Sequence, residues 1–208
     1  IVFYQRHHII KAIGMDKIWF KKRLTFLGGL TIILVLLQLI NSLLPISLLQ
    51  WGIIPRTGEG LIGIFIAPFI HGSWSHLFSN LLPLLILSFL SMTQSLREYV
   101  LSSIFIIIVS GLLVWIFGRN AVHVGASGWI FGLWSLLIAH AFTRRKIIDI
   151  VIALFVLFYY GSMAYGLIPG QLGVSTESHI SGVIAGLLYA WCARKLIRRK
   201  SRVVEVAK

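Results

Sequence analysis

Six long apolar segments constrain this chain more than any other feature of its sequence. They cover residues 24–44, 77–96, 98–117, 126–142, 147–168 and 179–197, with bounds approximate to a few residues. Each is close to the roughly 20 helical residues that cross a bilayer. A soluble domain with 58% hydrophobic and only 12% charged residues would lack polar surface. The pattern therefore predicts an all-α polytopic membrane protein, a bundle of six transmembrane helices.

The basic residues predict the orientation of this bundle. With six spans both termini lie on one side of the membrane, and seventeen of the nineteen Lys and Arg residues fall on that side. Only Arg56 and Arg119 fall opposite. By the positive-inside rule both termini are cytoplasmic. The net charge of +13 is then explained by contacts with the headgroups of the lipid bilayer, and we expect no nucleic-acid partner.

The same pattern divides the chain into three parts. We expect a short basic cytoplasmic segment at 1–23, a membrane domain at 24–197 and a basic cytoplasmic tail at 198–208. The first apolar segment is too long for a signal-peptide core, and no small-residue cleavage site follows it, so we expect a retained span. Residues 45–70 are apolar but are interrupted by three prolines and several glycines, which predicts a loop partly sunk into the outer leaflet.

Polar residues at membrane depth indicate where function resides. The second, fourth and sixth predicted spans all run from outside to inside, so their N-terminal ends share the external face. Those ends carry His71, His76 and Asn80, then Ser127, then His179. Three segments that are far apart in sequence thus bring polar groups to one face and a similar depth, which predicts a single site.

Ser127 and His179 suggest hydrolytic chemistry only when they are considered together. Alone, Ser127 is most simply a small packing residue in a membrane helix. A serine hydroxyl becomes a nucleophile when a neighbouring neutral imidazole accepts its proton, and burial favours the neutral imidazole. We expect no acidic residue to complete a catalytic triad, because Glu177 is predicted to be solvated. The loop histidine His123 is predicted to have a solvated or structural role.

Glycines at four-residue spacing explain how the serine and the histidine meet. They occur on the fourth and sixth spans, at Gly128 and Gly132 and at Gly182 and Gly186. Small residues in this spacing let two membrane helices approach closely. We therefore expect a direct hydrogen bond between the serine hydroxyl and the imidazole.

Other residues around Ser127 suit the chemistry of acyl transfer. Ser127 is predicted to open a helix, so the first backbone N–H groups of that helix lack partners and favour a developing negative charge. His76 and Asn80 are one helical turn apart and can add side-chain donors. Phe131 lies one turn after Ser127, where its ring can pack on the imidazole. His71 is expected to support the loop or orient the site.

Three motifs together resemble the rhomboid family of intramembrane serine proteases. They are Gly125-Ala-Ser-Gly128, His179-Ile-Ser-Gly182 and His71-Gly-Ser-Trp-Ser-His76-Leu-Phe-Ser-Asn80. All three occur in the family's order, on the expected spans, over a six-span core of about 175 residues. The resemblance implies that Ser127 and His179 form a catalytic dyad that cleaves peptide bonds in or near transmembrane segments of substrate proteins.

The resemblance also implies the roles of the supporting residues. His76, Asn80 and the backbone N–H of Ser127 would form the oxyanion hole, and Phe131 would stack on the base. Gly125, Gly128, Gly182 and Gly186 would shape and close the site. No cofactor and no metal are implied. Residues 45–70 would be a membrane-dipping first loop, and the fifth span with residues 169–178 would be the side of substrate entry. The expected location is a bacterial plasma (inner) membrane.

Two alternatives stay open at this point. One is a rhomboid-like pseudoprotease that binds transmembrane helices without cleavage. The other, from a different class, is a small transporter that uses His71, His76 and His179 as metal or proton sites. The transporter leaves the Gly-Ala-Ser-Gly motif without a role. The sequence does not indicate an oligomeric state.

Overall fold

The structure is a computed structural model that describes residues 16–206 except 44, 46, 94, 171 and 172, and side chains only as far as residue 195. This part of the chain forms seven α-helices and three short 3₁₀ segments. The helices are α1 (Lys17–Leu43), α2 (Gly60–Ile66), α3 (Trp74–Ser91), α4 (Leu96–Phe117), α5 (Ser127–Thr143), α6 (Ile147–Tyr160) and α7 (Thr176–Val206). The 3₁₀ segments are Leu48–Trp51, Ala67–Phe69 and Gly161–Leu167.

The predicted all-helical membrane architecture is confirmed in its broad form. Among the described residues, four helices are long and apolar enough to cross a membrane: α1, α3, α4, and α6 together with the 3₁₀ segment that follows it. The central helix α5 is apolar but has only 17 residues. Six spans as an exact number therefore stays a prediction from the sequence.

The second predicted span was placed several residues too late. Its helix begins at Trp74 and ends at Ser91, because serine hydroxyls cap both this helix and the next. Ser73 accepts a hydrogen bond from the N–H of His76 at 3.1 Å, and Ser95 begins α4 in the same way. Apolar content alone does not reveal such caps, so the predicted span runs past the end of the helix to residue 96.

The helices at the first and last predicted spans extend beyond the predicted bounds. Helix α1 begins at Lys17, one residue after Asp16, whose carboxylate accepts a hydrogen bond from the N–H of Trp19 at 2.7 Å. Helix α7 begins at Thr176, after Ser175, and continues past 198, where the tail was predicted to start, to Val206. Residues 1–15 of the predicted N-terminal segment and residues 207–208 lie outside the described residues.

The described residues between 45 and 70 form three short helical pieces instead of one spanning helix, and they attach to the end of α4. Prolines and glycines predict this interruption but not the helical pieces. The guanidinium of Arg56 donates to the carbonyl oxygens of Ile116 and Gly118 at 3.1 and 2.8 Å. A cation at a helix C-terminus satisfies carbonyls that have no partner within the helix. Ile53 and His123 also exchange backbone hydrogen bonds of 2.9 Å. How deeply this segment enters the bilayer stays a prediction.

Helix α5 occupies the centre of the bundle. It packs against α3, α4, α6 and α7, and its contact with α7 is the most extensive between any two described helices. Most of its residues are buried, whereas α1, α4 and α6 expose large apolar side chains over much of their length. An apolar exterior around a packed centre suits a lipid surrounding. The N-terminal ends of α3, α5 and α7 meet at one end of the bundle.

Candidate active site

A cavity of about 580 Å³ opens where α3, α5 and α7 begin. Its wall includes four of the polar residues that the sequence singled out, His76, Asn80, Ser127 and His179, together with the aromatic ring of Phe131. The size falls within the range of ligand-binding clefts. Three separate helices therefore contribute to one polar cavity, as their shared direction through the bundle predicts.

Ser127 is the first residue of α5, as expected. The residue before it caps the helix without a side-chain hydrogen bond, so the first N–H groups of α5 receive no acceptor from a capping side chain. The turn that leads into the helix needs Gly125, whose φ of +108° is one that L side chains rarely adopt. The start of α5 thus presents a hydroxyl beside backbone donors.

His76 and Asn80 lie against this same turn. A Cβ on Gly125 would stand 2.7 Å from two ring atoms of His76 and 3.5 Å from Nδ2 of Asn80. Asn80 is buried, and its Nδ2 donates to the carbonyl of His76 at 3.1 Å, which uses one of its two hydrogens. Both side chains can therefore donate beside the first residue of α5.

The His179 ring is held from two directions. It stacks on Phe131, with ring centroids 4.0 Å apart and planes 13° from parallel, as the sequence predicts. Its Nδ1 lies 2.8 Å from the carbonyl oxygen of Gly166, in the 3₁₀ segment after α6. Sequence reasoning missed Gly166, because a backbone carbonyl leaves no signal in residue type.

The expected hydrogen bond between Ser127 and His179 is not formed in this conformation. Both residues belong to the described part of the chain, yet the Ser127 hydroxyl makes no hydrogen bond there, and the imidazole bonds to Gly166 instead. They nevertheless line the same cavity. Catalytic hydrogen bonds often tighten only when substrate is bound.

The close approach of α5 and α7 occurs through the predicted glycines. A Cβ on Gly182 would overlap the carbonyl oxygen of Gly128, and one on Gly186 would overlap the carbonyl oxygen of Gly132. A Cβ on Gly128 itself would stand 3.2 Å from the carbonyl oxygen of Ser178. The two backbones are therefore in direct contact beside the cavity, and side chains larger than hydrogen would separate them.

His71 lies behind the cavity rather than in its wall. Its Nε2 accepts a 3.4 Å hydrogen bond from the N–H of Ala126, directly before Ser127. Burial, with a smaller contribution from His76, lowers the pKa of His71 to about 4, so the ring is neutral and can accept. The expectation that His71 supports the site is consistent with this contact.

A polar cluster joins the loop before Ser127 to the start of α7. His123 is buried, and its Nδ1 lies 2.7 Å from Oγ of Ser175, while its Nε2 lies 3.0 Å from the carbonyl oxygen of Arg119. The Arg119 guanidinium pairs with Glu177 at 3.3 Å. Glu177, predicted to be solvated, is partly exposed and forms this ion pair at its exposed edge. The buried His123 has a structural role, one of the two roles that the sequence predicts.

These features define a class of protein. The chain is a helical membrane protein whose polar cavity gathers a helix-opening serine, histidines and an asparagine. Within the part of the chain that the structure describes, no group of three or more His, Cys, Asp or Glu side chains could hold a metal ion.

The comparisons identify the family. Residues 58–196 match the family profile of the Rhomboid domain, so this chain belongs to the rhomboid family. An uncharacterised protein of Mycobacterium tuberculosis is 39% identical over 194 residues, covering 86% of this chain and 80% of that protein. An uncharacterised protein of Mycobacterium leprae is 34% identical over 194 residues, covering 86% of this chain and 76% of that protein. Rhomboid-like protein 11 of Arabidopsis thaliana, a chloroplast protein, is 34% identical over 62% of this chain and 51% of its own.

Proposed function

We propose that this chain is an intramembrane serine endopeptidase in which Ser127 is the nucleophile and His179 the general base and acid. Membership of the rhomboid family suggests an intramembrane protease or a pseudoprotease. The observation that favours the protease is that both residues line one cavity, on helices whose backbones touch through glycines. A helix-binding protein without catalysis would need neither residue.

In the proposed acylation step, the Ser127 hydroxyl attacks the scissile carbonyl carbon of the substrate. Nε2 of His179 accepts the hydroxyl proton as the new C–O bond forms. The tetrahedral intermediate then collapses, the C–N bond breaks, and the imidazolium gives its proton to the leaving amine. The products of this step are an acyl-enzyme and a free amino terminus.

Charge on the substrate oxygen is greatest in the tetrahedral intermediate, and donors at the start of α5 would stabilise it. The proposed donors are the backbone N–H of Ser127 and the side chains of His76 and Asn80, which lie against the turn before Ser127. Loss of a single such donor typically costs about 10²–10³-fold in rate. The positive end of the α5 dipole adds to the effect.

Deacylation requires water, and the cavity has room for it. His179 would take a proton from a water molecule, the water oxygen would attack the ester carbonyl, and the ester C–O bond to Ser127 would break. The serine recovers its proton from His179, and the substrate leaves with a new carboxylate. A volume of about 580 Å³ accommodates several water molecules besides a peptide segment.

The proposed substrates are transmembrane proteins, which would reach the cavity from the lipid bilayer. The side of entry is proposed at the fifth predicted span and residues 169–178, because Tyr160 and Met163 of that span line the cavity wall. We also propose that the chain crosses a bacterial plasma (inner) membrane six times, with both termini in the cytoplasm. The cavity would then open to the extracytoplasmic side.

One experiment tests the nucleophile directly. Purified protein and its Ser127→Ala variant are incubated with a fluorophosphonate probe and with a model transmembrane substrate, and labelling and cleavage are measured. We expect both reactions in the wild type and neither in Ser127→Ala. Ser42→Ala is the matched control, because Ser42 lies on α1 and bonds only to its own helix.

The outcomes separate the proposed function from its alternatives. Cleavage that persists in Ser127→Ala would show that the nucleophile is another residue. Binding of the transmembrane substrate without labelling or cleavage in the wild type would identify a pseudoprotease. Proton or metal transport that survives the loss of the Ser127 hydroxyl would identify the transporter.

A further inference from the structure

We infer that the backbone carbonyl of Gly166 is a positioning group for the reaction, because it holds His179 in the one tautomer that can act as base toward Ser127. The inference rests on the proposed serine protease function and adds a residue that the motifs do not contain. Gly166 belongs to the 3₁₀ segment Gly161–Leu167, which follows α6 and contacts α7.

The chemistry of the contact selects the tautomer. A carbonyl oxygen has lone pairs and no hydrogen, so it can only accept, and the hydrogen between it and Nδ1 of His179 must belong to the ring. A neutral imidazole with its hydrogen on Nδ1 has its free lone pair on Nε2. This is the nitrogen that must take the proton from a serine hydroxyl in the Ser–His mechanism.

The carbonyl and Phe131 restrict different motions of the ring. Stacking at 4.0 Å, with the planes 13° apart, holds the imidazole in one plane but allows it to turn within that plane. A hydrogen bond of 2.8 Å to the ring edge opposes that turning. The two contacts together determine the direction in which Nε2 points.

Gly166 can approach the ring because it has no side chain. A Cβ at this position would stand 2.9 Å from Cζ of Phe131 and 3.0 Å from Nδ1 of His179, whereas ordinary contacts begin at 3.4 Å. Alanine would push the 3₁₀ segment away from the rings and lengthen the hydrogen bond. The identity of this residue is therefore set by the stacked pair.

The carbonyl has the role that a carboxylate has in a serine–histidine–aspartate triad. In the described part of the chain the hydrogen bond of His179 to Gly166 is its only side-chain hydrogen bond, and the nearby Glu177 is paired with Arg119. Because Gly166 follows α6, the direction of the base depends on where the end of α6 lies. A substrate that displaces the end of α6 would change the direction of the His179 ring as well as the opening of the cavity.

The test compares two alanine variants within the same 3₁₀ segment. In Gly166→Ala we expect kcat on the transmembrane substrate to fall about 10–100-fold, with KM nearly unchanged, because the base is misdirected while the cavity is kept. Gly161→Ala is the matched control, since a Cβ there meets no atom within 4 Å, and should retain wild-type kcat. Thermal unfolding in detergent checks that both variants fold.

A direct reading of the tautomer makes the test independent of activity. In full-length protein labelled with ¹⁵N-histidine, the His179 signals are assigned by their loss in His179→Gln. We expect the neutral wild-type ring to carry its hydrogen on Nδ1, and Gly166→Ala to shift it toward Nε2. A hydrogen on Nε2 in the wild type overturns the inference, and so does a Gly166→Ala variant with wild-type kcat and tautomer.

The two readings keep this inference distinct from the proposed function. A wild-type protein that neither labels nor cleaves refutes the protease, whatever its tautomer. A wild type that cleaves, with a Gly166→Ala variant that cleaves equally well, refutes only the role of Gly166.

Discussion

Replacement of Gly182 by alanine tests whether the contact between α5 and α7 positions the proposed dyad. The added Cβ would overlap the carbonyl oxygen of Gly128 and would lie 3.0 Å from its carbonyl carbon and 3.1 Å from N of Gly132. Ordinary contacts of a Cβ begin at 3.4 Å, so α7 must move away from α5 at its N-terminal half. His179 lies less than one turn before Gly182 and would move with it.

The size of the effect follows from this displacement. Moving the Cβ clear of the carbonyl oxygen, the carbonyl carbon and the backbone nitrogen requires a shift of about 1 Å, and a misplacement of that size can cost about 10²-fold in rate. Overpacking of a tight interface costs about 1–3 kcal/mol of stability, which a membrane bundle of this size survives. We therefore expect Gly182→Ala to insert and fold, and to retain about one hundredth of wild-type kcat/KM.

The assay measures kcat/KM for cleavage of a transmembrane substrate in detergent, together with the temperature of unfolding. Gly28→Ala on α1 is the control, because a Cβ there meets no atom within 4 Å. It should match the wild type in both measurements. If Gly182→Ala cleaves within about twofold of the wild type, the glycine contact does not position the histidine and the reasoning fails.

Three further perturbations address other parts of the site. Gly125→Ala forces a side chain onto a φ of +108° and against the ring of His76, so we expect a loss of about 1–3 kcal/mol in unfolding free energy and a lower kcat. Phe131→Leu removes the stack on His179, worth about 0.5–1.5 kcal/mol, which lowers kcat up to about tenfold in the same cleavage assay. Glu177→Gln removes a partly exposed ion pair and should lower stability at pH 7 by about 0.2–1 kcal/mol in thermal unfolding.

Each of these has a control or a contrary outcome. For Gly125 the control is Gly170→Ala, which has a φ of +110° but no atom within 4 Å of a Cβ, so it carries the backbone strain alone. Phe131→Tyr retains the stack and should retain most of the activity.

Burial raises the pKa of Glu177, but backbone hydrogen bonds and the charge of Arg119 outweigh it and lower that pKa below 4.5.

The sign of the pH dependence follows from that lowered pKa. The carboxylate stabilises the fold above its unfolded-state pKa, and this contribution is lost as the pH falls through the folded-state pKa. The difference between Glu177→Gln and the wild type should therefore be present at neutral pH and disappear in acid. A difference that persists below the folded-state pKa would show that the side chain acts through packing rather than charge.

The gathering of the site was predictable because it depends on topology. Alternating span directions were enough to bring the starts of three helices together, and small residues at four-residue spacing were enough to predict where two of them touch. Ser127 as the first residue of α5 followed from the same pattern. Both predictions depend only on where residues lie along the sequence, and neither requires the side-chain rotamers.

The parts that failed depend on groups that residue type does not reveal. The serine caps at Ser73 and Ser95 divide an apolar stretch that looked continuous, which displaced the predicted end of the second span. Gly166 acts through its backbone oxygen, and Glu177 finds Arg119 only because a loop folds back on α7.

A carbonyl rather than a carboxylate as the partner of the buried His179 has a physical reason. A buried carboxylate beside a neutral imidazole would lose its hydration without gaining an opposite charge, which costs several kcal/mol. A carbonyl oxygen loses far less, and its backbone is already ordered by the 3₁₀ segment. The desolvation of a carboxylate would be offset only when the ring is the charged imidazolium. A site that orients the ring with a neutral carbonyl instead must hold the ring more rigidly. Stacking on Phe131 and the absence of a side chain at Gly166 supply that rigidity, and this is why we expect both positions to be sensitive to the addition or removal of a few atoms.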